Sequence, residues 1–183
     1  PVKSDAAPLD TQFSFYGTAE YKANTAASGV AEYSEGTQAQ RTAKALALVQ
    51  KHFPTASETN APVKLTFAHA NTTLRNAIAK LVIAETKKAG FDVTDVPYAD
   101  LFGEKGNKNA KNDVTMYGFG LNSLSQSNGT EIYKSDGGNN VWGWNDSALD
   151  ALAKSLQGDI LTAKEVTAKR LAMDKIIIAN AWG

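Results

Sequence analysis

His69 is the side chain best suited by type to acid–base chemistry. It follows an alternating apolar segment, Val63 to Ala68, and Asp95 lies on the next such segment, Phe91 to Val96. A histidine oriented by a carboxylate is the core of a general-base site, the chemistry of a small hydrolase or transferase. No partner motif accompanies the pair, so a hydrogen-bonded structural histidine is the favoured reading. His52 falls in the last turn of a helical segment and reads as a surface residue. Asp92, Asp95 and Asp100 could in principle ligate a cation. Their spacing matches no calcium loop and Pro97 interrupts it, so solvated carboxylates are favoured and no metal or other cofactor is expected. Trp142 and Trp144 flank Gly143 in a polar loop behind Asn139 and Asn140. Aromatics in such a loop either stack on a ligand or close the edge of a core, and packing is the favoured reading from the residues alone.

Other chemistries are excluded by composition. The chain has no cysteine, which removes disulfides, thiolate metal sites and a cysteine nucleophile. There is no phosphate-binding GxxxxGK[ST] and no Gly-x-Ser-x-Gly elbow. Gly118 and Gly120 follow a strand pattern without the third glycine of a dinucleotide fingerprint. Nineteen basic side chains balance nineteen acidic ones, whereas a nucleic-acid partner would call for a basic surplus. No apolar run reaches the ~20 residues that span a bilayer. With 183 residues, 43% apolar and 21% charged, the chain reads as globular. It begins at Pro1 and stops at Gly183, just past Ile176, Ile177, Ile178 and Trp182. Core-forming residues at a terminus suggest a piece of a longer protein.

The elements that must position these residues follow from periodicity. Residues 1–36 are rich in Ser, Thr, Ala and Gly, carry Phe13, Phe15, Tyr16, Tyr21 and Tyr33, and read as an irregular extension. Residues 37–183 read as an α/β unit. Ala43, Leu46, Val49 and Phe53 form a helical stripe ended by Pro54. Val63 to Ala68 alternates as a strand. Leu74, Ile78, Leu81 and Val82 form a second helix behind an Asn71–Thr73 cap, with Lys87 and Lys88 in its last turn and Gly90 in the left-handed position beyond. Phe91 to Val96, closed by Pro97, is a second strand. Strand, helix and strand over this length predict a parallel βαβ crossover. Val114 to Phe119 is a third strand, and Leu121 to Asn140 a long polar loop. A helix beginning near Asn145 or Asp146 carries Leu149, Leu152 and Leu156. The last opens on a capping box, Thr162 with Glu165, and carries Val166, Met173 and Ile177. The expected fold is a small, mainly parallel sheet flanked by helices.

In order and spacing, these features resemble the C-terminal lobe of the extracellular solute-binding proteins of family 5, the dipeptide- and oligopeptide-type receptors of ABC importers. Ala43-Lys44-Ala45-Leu46-Ala47-Leu48 after Tyr33 is similar to that family's Ala-Lys-x-Leu-Leu helix. Lys88-Ala89-Gly90-Phe91-Asp92-Val93 resembles its Lys-x-Gly-Ile-x-Val turn into a strand. Asn112 to Gly120 resembles its Tyr-Asp-x-x-x-x-Gly-Trp strand, with Phe119 in place of the tryptophan. Asn140 to Asp150 resembles the Asn-x-x-x-Tyr-x-Asn-x-x-x-Asp run that opens the penultimate helix.

The resemblance implies one lobe of a two-lobe, type II periplasmic-binding-protein fold, whose missing N-terminal lobe would precede Pro1. It implies a ligand-binding role without catalysis. A peptide or other small solute would be held by hinge closure and delivered to ABC importer permease subunits, outside a bacterial cytoplasm, on a cell-surface lipoprotein or in a periplasm. The ligand-binding residues it implies are Gly118, Phe119, Gly120, Leu121 and Asn122, with Trp142 and Trp144 as walls. Receptors of this family that take peptides place an Asp after the Gly-Trp pair, against the ligand's amino terminus. Gly120-Leu121-Asn122-Ser123-Leu124-Ser125 has no acid, so a neutral or hydrogen-bonding ligand group suits Asn122 better than an ammonium. Two alternatives from other classes stand beside this reading: the His69 hydrolase or transferase, and a cell-surface glycan-binding or adhesion domain.

Overall fold

The computed structural model describes residues 10–103, 112–118 and 125–182. In chain order the elements are α1 (Ala19–Ser28), α2 (Ala31–Ser34), α3 (Gln38–Gln50), β1 (Val63–Ala70), α4 (Thr73–Lys87), β2 (Phe91–Tyr98), β3 (Val114–Met116), α5 (Thr130–Tyr133), α6 (Ser147–Gly158) and α7 (Ala163–Ala179). Their contacts divide the chain into two compact units, one from residues 35–120 and one from residues 1–34 with 121–183.

The first unit is the α/β part. Its three strands form a sheet of order β2-β1-β3 in which both pairings are parallel. Register runs Val63↔Phe91 to Ala70↔Tyr98 on one side of β1, and Phe67↔Val114 to His69↔Met116 on the other. Being central, β1 holds the buried run Phe67, Ala68 and His69, as expected for a strand paired on both sides. β2 continues through Pro97, past the point where the sequence pattern ends it. It is an edge strand, where a residue lacking an N–H is tolerated. β3 stops at Met116, shorter than its sequence pattern. It is tied to β1 by a reciprocal clamp: Thr66 N–H and Oγ1 donate to Asp113 Oδ2 at 2.8 and 2.9 Å, and Asp113 N–H donates to Thr66 Oγ1 at 2.9 Å. The Thr66 donors hold the Asp113 carboxyl below its ordinary range.

The helix that crosses from β1 to β2 is α4. Thr72 caps it by accepting from Arg75 N–H, and Lys87 lies in its last turn. Gly90 then turns the chain into β2 with φ +86°. A Cβ there would sit 3.2 Å from Ala56 Cβ and 3.5 Å from Val49 Cγ1, so the half-buried face of α3 packs closely on this turn. Phe53, assigned to that face by its spacing, is instead 43% exposed past the helix end. Gly90→Ala is expected to cost about 1–2 kcal/mol, because an L-residue resists the left-handed conformation. Gly158→Ala, where a Cβ meets nothing within 4 Å, should be neutral or slightly stabilising. Urea unfolding of the two variants checks the contrast.

The second unit is helical, with α7 packed against α1 and α6. Residues 10–34 belong to it and are not irregular throughout, since α1 and α2 lie within them. The buried positions of α1 are Tyr21, Asn24 and Ser28, spaced as a helical face but mostly polar. Asn24 is satisfied by donating to Ser14 Oγ at 2.9 Å. The apolar core comprises Phe13, Ile132, Tyr133, Leu149, Leu156, Met173 and Ile177 among others. Asp146 caps α6 and the Thr162–Glu165 capping box opens α7, as their sequences predict.

Candidate functional site

Gly118 lies just beyond β3, exposed, in the α/β unit. Phe119, Gly120, Leu121 and Asn122 fall outside the described residues. Trp142 and Trp144 belong to the helical unit and are half-buried. There Trp144 is common to three stacked pairs, with ring centroids 5.0 Å from Tyr133, 5.1 Å from Trp142 and 5.6 Å from Trp182. Phe13 meets Tyr133 edge-on at 5.6 Å. Such pairs add about 0.5–1.5 kcal/mol each beyond their burial. Asn140 sets the loop: its Oδ1 accepts Trp144 N–H at 3.0 Å, and its Nδ2 donates to Trp144 O at 2.8 Å and to Lys134 O at 3.0 Å. The asparagine and the tryptophan of the Asn140–Asp150 motif thus act together to close a core edge. Lys134, in turn, pairs with Glu131 at 2.9 Å and holds its carboxyl below the ordinary range.

A second constellation in this unit was not legible in the sequence. Arg170 of α7 is 5% exposed. Its Nη1 donates to both oxygens of Glu20 at 3.1 and 3.2 Å, Nη2 to Ser125 O at 3.0 Å and Nε to Gln126 O at 3.3 Å. The guanidinium therefore joins α7, α1 and the backbone of residues 125–126, which follow the Gly118–Asn122 segment in sequence. One turn on, Asp174 is fully buried. It accepts Thr11 Oγ1–H at Oδ2 and Gln12 N–H at Oδ1, the latter at 2.9 Å. Burial is the largest cause pushing its carboxyl up to about 6.

The residues named for acid–base chemistry do meet. His69 Nε2 lies 2.7 Å from Asp95 Oδ1 across β1 and β2, and Nδ1 lies 3.0 Å from Ala70 O. The imidazole is 0% exposed, and both its nitrogens face protein oxygens. A ring so enclosed has no substrate within reach, and the geometry is that of a structural histidine locking two strands. Asp92 and Asp100 do not join it: among the described residues, no group of three His, Cys, Asp or Glu side chains is arranged to hold a metal ion. His52 is exposed. No described helix is long and apolar enough to cross a membrane.

No family model matches this sequence, and no curated protein matches it. Solved structures do. The murein tripeptide binding protein MppA of Escherichia coli matches 81% of this chain at 21% identity and a TM-score of 0.65. OppA of Haemophilus influenzae, in complex with RPPGFSPFR, matches 79% at 19% identity and a TM-score of 0.62. NikA of Staphylococcus aureus, in complex with Ni(L-His)2, matches 75% at 22% identity and a TM-score of 0.58. Over the matched stretches the chain shares its fold with these three binding proteins. The chain spans 28–29% of the length of these three proteins. At such identities the likeness carries the architecture: a small open parallel sheet with helices around it.

Proposed function

We propose that this chain is part of the C-terminal lobe of a family 5 solute-binding protein, a receptor that takes up a peptide or another small solute and presents it to an ABC importer. The observation that supports this most is the likeness of fold to three binding proteins over three quarters or more of the chain. The ordered motifs at residues 43–48, 88–93, 112–120 and 140–150 favour the same reading. The protein acts by binding, not by turnover. Ligands of open α/β folds collect beyond the carboxyl ends of sheet strands, here the ends near Ala70, Tyr98 and Met116. Gly118 to Asn122 follows the last of these in sequence, offering main-chain groups and an amide. Trp142 is proposed as a ligand wall, while Trp144 chiefly holds the loop. Closure of two lobes by a hinge would bury the solute, and the closed form would be the one a permease recognises. The setting is extracytoplasmic and bacterial, on a cell-surface lipoprotein or in a periplasm.

The test compares the intact receptor with the 183-residue chain. Solutes copurified with the intact protein are identified by mass spectrometry after denaturation, and each is then titrated by calorimetry against both forms. Binding to the intact protein with a micromolar or lower Kd is expected. The chain alone should bind the same solute at least about a hundredfold more weakly, since each tenfold corresponds to only about 1.4 kcal/mol of lost contacts. Equal affinity of the two forms would end the two-lobe reading.

A further inference from the structure

The chain is neutral overall, but its charge is not evenly divided. Residues 35–120 hold eleven Lys and Arg against eight Asp and Glu, and the rest of the chain holds the reverse, eight against eleven. Within the α/β unit the asymmetry is sharpest at α3. No acid occurs between Glu35 and Glu58, a stretch that carries Arg41, Lys44 and Lys51. Steps of three and four residues place Arg41, Lys44, Leu48 and Lys51 along one side of the helix and its cap.

That side faces solvent. Lys44 and Lys51 are exposed, Arg41 is half-buried, and Leu48 is 50% exposed. Phe53, just past the helix end, is exposed as well. The opposite stripe, Leu46 and Val49, is half-buried and approaches Gly90. No residue of α3 is buried, whereas α1, α4, α6 and α7 each bury at least one. Of the acids around it, Glu85 accepts from Gln38 Nε2 at 3.3 Å and pairs with Lys88 at 2.7 Å, and Glu58 also acts on Lys88. A single exposed leucine is ordinary. Set between lysines four residues before and three after, with a phenylalanine beyond and no acid on the helix, it complements a negative surface with an apolar layer beneath. The side of one helix is convex and offers no groove to a folded partner. A bilayer asks only for charge at the headgroups and shallow apolar insertion. Lysine stems are long enough to keep their ammonium groups among phosphates while Leu48 and Phe53 go deeper.

We propose that the outer side of α3 is a docking surface for an anionic lipid bilayer, with Arg41, Lys44 and Lys51 at the headgroups and Leu48 and Phe53 at the acyl boundary. Each cation near such a surface is worth about fivefold in affinity, so the attachment is weak and salt-dependent. The inference stands on charge and exposure within the α/β unit and does not rest on the solute-receptor reading.

The experiment sediments the 183-residue chain with vesicles of phosphatidylglycerol, and in parallel with vesicles of phosphatidylcholine. At about 0.01 M salt the chain is expected to bind phosphatidylglycerol at least about tenfold more tightly. Most of that binding should be lost at about 0.15 M, where the Debye length falls from about 30 to about 8 Å. Lys44→Gln with Lys51→Gln should weaken it by about tenfold or more, and Leu48→Gln by about threefold. Lys154→Gln with Lys164→Gln removes the same charge from the helical unit and should change binding by less than about twofold. All five positions are exposed, so the variants keep the fold. Equal binding to the two lipids, equal losses from the two lysine pairs, or no effect of Leu48→Gln would overturn the proposal. So would a failure to bind phosphatidylglycerol, which would leave an acidic protein as the fitting partner.

Discussion

Arg170→Met is expected to destabilise the helical unit by about 3 kcal/mol, the low end of the cost of removing one member of a buried ion pair. The physical reason is what is left behind. Methionine fills much of the arginine stem, so the cavity term is small. Glu20, about 20% exposed at its side chain, then keeps its charge with no partner, and the Ser125 and Gln126 carbonyls lose their donors. The carbonyls lie at more open positions and recover bonds from water, so most of the loss belongs to Glu20. Removing that charge should therefore restore stability: the Arg170→Met, Glu20→Gln double variant is expected to recover more than half of the deficit. Urea unfolding of wild type, both single variants and the double variant closes the cycle. A loss below about 1 kcal/mol for Arg170→Met, or simple additivity of the two changes, would show that the pair is not the clamp its geometry indicates.

The same residues explain how far the sequence could be read. Where order and capping signals set the elements, pattern and structure agree: the crossover from β1 through α4 to β2 is parallel, Gly90 adopts φ +86°, and the Thr162–Glu165 box opens α7, whereas Phe53, Leu74 and Leu81, placed on apolar stripes by their spacing, are exposed. Where the buried face is polar, periodicity carries no signal. α1 buries Tyr21, Asn24 and Ser28, a stripe that reads as solvated until Ser14 is seen to accept from Asn24. α7 buries Arg170 and Asp174 between its apolar positions, and nothing near them in sequence shows that Glu20 and Thr11 will meet them. The loop tryptophans were legible as aromatics in an odd place. Their stacking on Tyr133 and Trp182 depends on tertiary folding and was not. His69 shows the converse. Its partner Asp95 could be named from the strand pattern, but its complete burial, which decides against catalysis, could not. Four short motifs in order were enough to suggest the fold that three solved binding proteins share with this chain.

Asp174→Asn is expected to change the pH dependence of stability and to raise stability at neutral pH. The folded protein holds this carboxyl at about 6 against an ordinary 3.8, so the native state binds its proton more tightly than the unfolded chain. Stability from this group is therefore fully present below about pH 4, falls as pH rises through 6, and is absent above. The gap between 3.8 and about 6 corresponds to about 3 kcal/mol at 1.36 kcal/mol per pH unit. The groups acting on Asp174 are the donors Thr11 and Gln12, Glu20 of α1, which raises its carboxyl, and Arg170 of its own helix, which lowers it, and burial outweighs them. Asparagine can still accept Gln12 N–H at its oxygen, its amide N–H can donate to Thr11 Oγ1 once that hydroxyl turns, and it carries no proton to lose. The difference in unfolding free energy between Asp174→Asn and wild type should accordingly grow in favour of the variant by up to about 3 kcal/mol between pH 4 and pH 7. Asp113 and Glu131, held low by Thr66 and Lys134 respectively, lose stability in the opposite sense as pH falls, but equally in both proteins, so they cancel in the difference. Urea unfolding across that range reads the slope directly. A difference that stays flat with pH would mean that the Asp174 carboxyl is solvated in the native state and is not raised by burial.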